Sequence, residues 1–155
     1  MVNPGTLLSA RLGLEPHPEG GRYRQLHRSE SVVHVPWRGV DRSALTSILF
    51  LLARGEASRW HRVLSDEVWH FHEGDPLELV VVDAGFSELR RHSLGRASGG
   101  NEPLAVVPAE HLVDVERRDH AGEPREAGDL ARAGFDVVAD AVAQAGLGRR
   151  ERRDA

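Results

Sequence analysis

Residues Ser58–Leu79 read SRWHRVLSDEVWHFHEGDPLEL, and this stretch decides the fold. Apolar and polar residues alternate in short runs, which Ser65-Asp66 and Glu73–Pro76 interrupt. A period of two indicates β-strands, and the interrupting residues are typical of turns. The same run contains three histidines and two tryptophans, so it is also the first place to look for a functional site.

The rest of the chain repeats this pattern of short strands. A helix is predicted over Thr6–Leu14, and a buried strand that ends at Gly55 is predicted within the stretch SALTSILFLLARGEAS (43–58). Further strands follow at spacings of roughly 8–12 residues, with glycine, proline and aspartate between them. Such spacing predicts one antiparallel sandwich or barrel.

The composition excludes several classes of protein. The chain has 155 residues, which suits one domain, and a net charge of −4, so neither nucleic acid nor a membrane is an expected partner. The absence of cysteine excludes disulfides and thiolate chemistry. The longest apolar run, Ile48–Ala53, is far short of the ~20 residues of a membrane span. With no secretory signal at the N-terminus, we expect a cytoplasmic protein.

The pattern changes after Leu112. Val115–Asp129 is highly charged and does not read as a strand, whereas Asp129–Arg150 reads as one or two amphipathic helical turns followed by a basic tail. We therefore predict a barrel over residues 1–112. Residues 113–155 form a C-terminal segment of uncertain structure, with a diverged last strand and a helical tail.

One spacing has chemical meaning: Gly55, His61, Glu67 and Gly74 follow one another at intervals of six, six and seven residues. This order resembles the first motif of the cupin superfamily, whose fold is a double-stranded β-helix or jelly roll. In cupins, the histidine and the glutamate point into the barrel mouth and commonly bind a divalent metal.

A closer resemblance is to the cupin_5 family, also called DUF985. The stretches that carry it are LGLEPHPEGGRYRQLHRS (12–29), RSALTSILFLLARGEASRWHRVLSDEVWHFHEGDPLEL (42–79) and PLAVVPA (103–109). The resemblance implies an all-β, single-domain jelly roll with a short N-terminal helix, and a homodimer. The biochemical role of this family is largely unassigned.

The chain departs from the general cupin pattern at Val63, where a second metal-binding histidine usually stands. Two ligands hold a metal weakly, so a metal site needs a third ligand beside His61 and Glu67. The candidates are His70, His72 and His111; the strand period puts the first two on the face opposite Glu67, which favours His111. The alternative without metal pairs His61 and Glu67 by hydrogen bonding.

Three functions follow. The first is a small-molecule-binding cupin, resembling sugar or nucleotide-sugar epimerases, with His61 as base and Glu67 as its carboxylate partner. The predicted ligand-binding residues are Tyr23, Arg24, Trp60, Trp69 and His70, with Arg24 or Arg28 meeting an anionic group. The second is a metal-dependent isomerase or oxygenase that uses His61, Glu67 and His111. The third is a non-catalytic, dimeric binding module.

Overall fold

The structure is a computed structural model that describes residues 4–36, 38–53, 56–117 and 137–144. It begins with helix α1 (Pro4–Leu12), close to the predicted Thr6–Leu14, and a short 3-10 turn covers Ala97–Gly99. The strands are β1 (Glu15–Pro16), β2 (Arg22–Arg28), β3 (Val32–Val35), β4 (Val40–Ser43), β5 (Leu45–Leu52), β6 (Ala57–Arg62), β7 (Asp66–Glu73), β8 (Leu77–Val82), β9 (Leu89–Leu94), β10 (Leu104–Val107), β11 (Leu112–Arg117) and β12 (Val137–Gln144).

Two antiparallel sheets form the barrel. One is six-stranded, in the order β1-β2-β5-β12-β7-β10, and the other is four-stranded, in the order β6-β11-β8-β9; β3 and β4 form a separate hairpin. The main core lies between the two sheets and takes buried side chains from both. Its members include Phe50, Leu52, Trp69, Leu79, Val81, Val113 and Val115. The predicted all-β jelly roll is confirmed.

The apolar residues of strand β5 do not alternate with polar ones, and the packing of its two faces explains why. Phe50 and Leu52 belong to the barrel core, whereas Leu51 and Ala53 form a second buried cluster with Leu8, Leu12, Leu14 and Leu49. Side chains of a strand point alternately to its two faces, and here both faces are covered. Helix α1 therefore packs on the outside of the six-stranded sheet. In the described part of the chain, no helix has the length and apolar content of a membrane span.

The prediction of helical turns within Asp129–Arg150 is wrong for Val137–Gln144. These residues form β12, which pairs antiparallel with β5 on one side and with β7 on the other. Alanine and glutamine favour a helix by propensity alone. A strand here, however, satisfies the backbone N–H and C=O groups of two neighbours at once, and this tertiary pairing overrides the propensity. The remainder of the predicted helix and the basic tail lie outside the described residues.

The charged stretch after Leu112 also begins as a strand. β11 pairs with β6 and with β8, and its Val113 and Val115 are fully buried. Charged residues at alternate positions make this strand hard to recognise in the sequence. They are tolerated because outward residues of β11, such as Glu116, remain exposed. The predicted boundary of the barrel at residue 112 thus falls before two strands that belong to the sheets.

Two truncations test the role of β12. A chain that ends at Asp136 loses β12 and leaves β5 and β7 without their shared partner, so we expect aggregation or a lost thermal transition. A chain that ends at Gln144 keeps every described strand and serves as the control; it should stay folded. Size-exclusion chromatography and circular dichroism melts compare the two. A soluble, cooperatively folded 1–136 chain would show that β12 is dispensable.

Candidate functional site

His61 lies on β6 with its ring held in one orientation. It pairs in register with the buried Val113 of β11, which places it on the inner side of the four-stranded sheet. Its Nδ1 donates to the carbonyl oxygen of Arg59 at 2.9 Å. Since a carbonyl only accepts, this bond fixes the proton of the neutral ring on Nδ1 and leaves Nε2 as the basic nitrogen.

Val63 occupies the position where the general cupin pattern has a second metal-binding histidine. Its side chain is 2% exposed and belongs to the barrel core, on the same side as His61. An apolar core residue therefore stands in this chain where the general cupin pattern has a metal ligand. Packing, rather than ligation, is the role of this position.

Glu67 faces the same interior from β7. The indole Nε1 of Trp69, two residues further along the strand, donates to Glu67 Oε2 at 3.2 Å. Burial raises the pKa of the Glu67 carboxyl, the positive charge of His61 and the indole hydrogen bond oppose the rise, and Glu19 adds to it. The Glu67 carboxyl thus holds a proton more readily than a free glutamate, which suits proton transfer.

Two residues that the sequence analysis did not assign to the site, His17 and Glu19, lie in the turn between β1 and β2. His17 Nδ1 is 2.8 Å from Glu19 Oε2. The backbone N–H of Glu19 donates to the same nitrogen at 3.3 Å. The one signal in the sequence was the stretch HPEGGRYRQ (17–25), which carries part of the family resemblance.

Aromatic rings hold His17 in place. It contacts Tyr23 edge-on at 4.8 Å and Phe50 at 5.5 Å between ring centroids, and Phe50 in turn contacts Trp69 at 5.6 Å. Burial lowers the pKa of His17, the carboxylate of Glu19 opposes this, and the charge of His61 lowers the pKa further. The charge of His61 thus acts on both His17 and Glu67.

Backbone contacts fasten this turn to β6. The N–H of Arg59 donates to Glu19 O at 2.7 Å, and its guanidinium donates to Pro18 O at 3.3 Å. Gly20 has φ +113°, and a Cβ there would stand 2.3 Å from Ala57 O. Only glycine fits such an approach.

A second buried acid, Asp114, stands on β11 at a bulge between Val113 and Val115. Desolvation raises the pKa of this carboxyl, the neighbouring Glu116 raises it further, and His61 lowers it. The charge of His61 thus affects the pKa of Glu67, of His17 and of Asp114. The strongly charged surroundings of Asp114 in the sequence had concealed it.

Of the predicted ligand-binding residues, Tyr23 and Trp69 are at this site. Tyr23 packs against the core and against His17, and its hydroxyl donates to Glu15, which is the largest cause of its raised pKa. Trp69 is only 3% exposed, so it acts as a buried donor to Glu67 rather than as an open wall for stacking.

The other three are elsewhere. Arg24 is opposite Leu49 on the outer face, with its side chain beside Gly13 at the end of α1. Trp60 is 50% exposed and lies outside the core that its neighbours face. His70 is one residue from Trp69 and so lies on the opposite face of β7. Strand alternation places all three away from His61, and Arg28, on β2, is also exposed.

His111 is not brought to His61 and Glu67. Its Nδ1 donates to Ala109 O at 3.1 Å, and its ring lines a separate cleft of about 70 Å³. The cleft is bounded by Val81, Asp83, Glu88, Arg90, His92, Val106 and Pro108. Throughout the described ranges, no three histidine, aspartate or glutamate side chains come close enough to hold a metal ion. The donor set His61, Glu67 and His111 therefore does not fit a divalent metal.

The raised pKa of Glu67 predicts the effect of Glu67→Gln on stability. A carboxyl whose pKa is higher in the folded chain than its ordinary ~4.3 destabilises the fold as pH rises through the folded value. Glutamine can still accept from Trp69 but carries no charge. We expect a Tm higher by about 2–4 °C at pH 7, and no gain at pH 4.

Thermal melts between pH 4 and pH 8 check this prediction. The control is Glu73→Gln, which removes an exposed acid at the end of the same strand and should leave the difference between pH values unchanged. An equal Tm for Glu67→Gln and the unmodified chain at pH 7 would mean that the buried carboxyl of Glu67 does not destabilise the fold.

Solved structures share this fold. A hypothetical protein from Leishmania major superposes with a TM-score of 0.75 at 28% identity, covering 94% of this chain and 83% of that one. An X-ray structure from Shewanella oneidensis gives 0.71 at 28% identity, covering 96% and 81%. Vicilin from hazelnut, Corylus avellana, gives 0.56 at 10% identity, covering 88% of this chain and 31% of vicilin, and shows the fold alone.

No curated protein matches the chain at a significant level. The sequence profile of Cupin_5, described as cupin superfamily (DUF985), matches residues 7–131. That range contains the whole site, from the His17 turn to Asp114. The match confirms the resemblance carried by the three sequence stretches, and the chain belongs to the Cupin_5 (DUF985) family of the cupin superfamily.

Proposed function

We propose that this chain binds a small molecule at His61 and Glu67 and acts on it by proton transfer. His61 is the general base, Glu67 is the carboxyl that exchanges a proton or hydrogen bond with the ligand, and Tyr23 lines the site. The ligand class is a sugar or a nucleotide sugar, and the reaction class is epimerisation or isomerisation beside a carbonyl. The choice of this ligand class and this reaction class rests on an analogy at the level of the fold.

One observation carries the proposal. The Nδ1–H of His61 is held by the carbonyl of Arg59 at 2.9 Å, so Nε2 is the free basic nitrogen. It is electrostatically coupled to the carboxyl of Glu67, whose pKa burial raises. A fixed base and an acid with a raised pKa in one site are the pair that general acid–base catalysis requires.

The metal-dependent alternative finds no support in the donor set. Val63 is a core residue and His111 lines another cleft. We derive no step through a metal.

We also propose a homodimer. β10 is an edge strand of the six-stranded sheet, and its Leu104 and Val106 are 47% and 49% exposed. Exposed apolar residues on an edge strand favour pairing with a second copy. This observation equally supports the non-catalytic, dimeric binding module, which differs from the enzyme in the outcome of the test below.

His61→Gln tests the proposed function, because glutamine keeps a polar side chain but cannot act as the base. Free hexoses, deoxyhexoses and nucleoside diphosphate sugars serve as probes in saturation-transfer NMR and calorimetry. We expect binding to weaken by about tenfold or more, as for a lost hydrogen bond to a charged group, and turnover to disappear, with a Tm within a few degrees of the unmodified chain.

His34→Gln is the matched control. His34 is exposed on the β3–β4 hairpin and pairs with Asp41 at 2.7 Å, so its loss should change neither binding nor turnover. Metal content by plasma mass spectrometry accompanies the assay. Stoichiometric metal that is lost in His61→Gln would contradict the metal-free mechanism. Binding without any turnover would favour the binding module.

A further inference from the structure

We propose that the cleft lined by His92 and His111, between β9 and β10, is a second binding site, and that it binds a small organic cation whose charged group is an alkylammonium or an alkylguanidinium. The residues that line this cleft do not include His61 or Glu67. The inference is therefore independent of the proposed function, and a negative result here leaves that function unchanged.

The cleft lies where the edges of the two sheets separate. β9 is the last strand of the four-stranded sheet, and β10 is the last strand of the six-stranded sheet. Glu102 connects the two edges, because its N–H donates to Ser93 O at 2.8 Å and its carbonyl accepts from the N–H of Gly95 at 2.9 Å. The cleft opens beyond this connection, with the β8–β9 hairpin on one side and β10 with the Pro108–His111 turn on the other.

Both histidines offer a hydrogen-bond acceptor to the cleft. His92 Nδ1 donates to Glu102 Oε2 at 2.9 Å, and His111 Nδ1 donates to Ala109 O at 3.1 Å. Since a carboxylate or a carbonyl oxygen only accepts, the proton of each neutral ring is on Nδ1, and Nε2 keeps a free lone pair. In the described part of the chain, no residue forms a hydrogen bond with Nε2 of either ring. A ligand with N–H donors satisfies these two nitrogens.

The charges around the two acceptors favour a cation. Asp83 and Glu88 line the cleft together with Arg90, and Glu102 stands beside His92. The guanidinium of Arg90 binds both oxygens of Glu88, at 2.9 Å through Nε and at 3.0 Å through Nη2. This ion pair offsets the charge of the arginine, and the carboxylates of Asp83 and Glu102 remain. A positive ligand is therefore attracted to the cleft, and an anion is repelled.

Hydrogen bonds fix the hairpin side of the cleft. The carboxylate of Asp83 accepts from the N–H of Glu88 at 2.6 Å, from the N–H of Ser87 at 2.7 Å and from Ser87 Oγ at 2.9 Å. The bond from Glu88 is the largest cause that lowers the pKa of Asp83 to about 2. Asp83 is thus ionised at neutral pH, and this side of the cleft does not have to become ordered when a ligand binds.

The size and the apolar part of the cleft define the ligand further. Its volume of about 70 Å³ is well below the ~300 Å³ of pockets for drug-sized ligands, so it accommodates one functional group rather than a sugar. Val81, Val106 and Pro108 contribute apolar surface for a short carbon stem. Within the described ranges, no set of three histidine, aspartate or glutamate side chains could hold a metal ion, which favours an organic cation over a metal.

The alternative is that the cleft holds only water and that its ion pair serves the hairpin alone. Glu88 and Arg90 are both more than half exposed, and exposed ion pairs contribute little to stability. Water satisfies the same two histidine nitrogens, but it does not depend on the charge of Glu88. A cation does, and this difference separates the two interpretations.

NMR titration of the full-length chain tests the proposal. The probes are n-butylammonium and methylguanidinium; tetramethylammonium carries the charge without N–H donors, and acetate is the anionic control. We expect shifts in the signals of His92, His111 and their neighbours, with a Kd of about 1 mM for such small ligands. Tetramethylammonium should bind at least about tenfold more weakly, since it forms no hydrogen bond to the two rings.

Variants assign the binding to named residues. Glu88→Gln leaves the charge of Arg90 without its partner, so the affinity for n-butylammonium should fall by about tenfold. His111→Phe keeps a ring but removes its acceptor, and we expect a loss of about fivefold. The control is Glu73→Gln, which removes an exposed acid at the end of β7 and should leave the affinity unchanged. If His111→Phe does not fold, His92→Phe makes the same test.

Four results would overturn the proposal. They are shifts confined to residues outside the cleft, equal binding of tetramethylammonium, an unchanged affinity in Glu88→Gln, and no saturation with either probe at concentrations about tenfold above the expected Kd. Zn²⁺ serves as a further probe. Tight binding of Zn²⁺ that displaces n-butylammonium and is lost in His111→Phe would identify the cleft as a metal site and would also refute the assignment to an organic cation.

Discussion

The insertion of β12 between β5 and β7 is the constraint on which the site depends. One part of the six-stranded sheet, β1-β2-β5, carries the His17 turn, Tyr23 and Phe50, and the other, β7-β10, carries Glu67 and Trp69. Among the described strands, β12 is the one that joins these parts by hydrogen bonds within the sheet. Residues far along the chain therefore hold the two sides of the candidate site together.

The sequence of β12 fits this position. Phe50 and Trp69 belong to strands on either side of it, yet their rings contact edge-on at 5.6 Å. In the register of the sheet, Ala139 is paired with Phe50, and Ala141 is paired with Trp69. The alanines that suggest a helix in isolation thus lie in a strand that pairs on both sides.

Much of the fold follows from local pattern, because strand alternation is a local property. The run Ser58–Leu79 already predicts β6, β7 and β8, and the histidine–glutamate spacing already points to His61 and Glu67. Parity also predicts correctly that His70 lies opposite Glu67. Strand alternation alone, however, cannot tell which face of a strand points inward when both faces carry polar residues. For this reason Arg24, which lies on the outer face, is predicted in the site.

The rest could not be predicted because it depends on contacts between distant segments. The His17 turn becomes part of the site only through Arg59, which contacts Pro18 across 41 positions of sequence. Val137–Gln144 form a strand because β5 and β7 both pair with these residues. Trp60 is turned outward beside the irregular pairing of β6 with β11.

The close approach of Gly20 to Ala57 has a consequence for selectivity. A turn pressed against a strand, with no room for even a methyl group, already has a fixed shape. A ligand of the proposed site would lose little conformational entropy on this side, because the turn would not have to become ordered. Its selectivity would then depend on the fixed outline of the turn, which would exclude a ligand with one additional substituent.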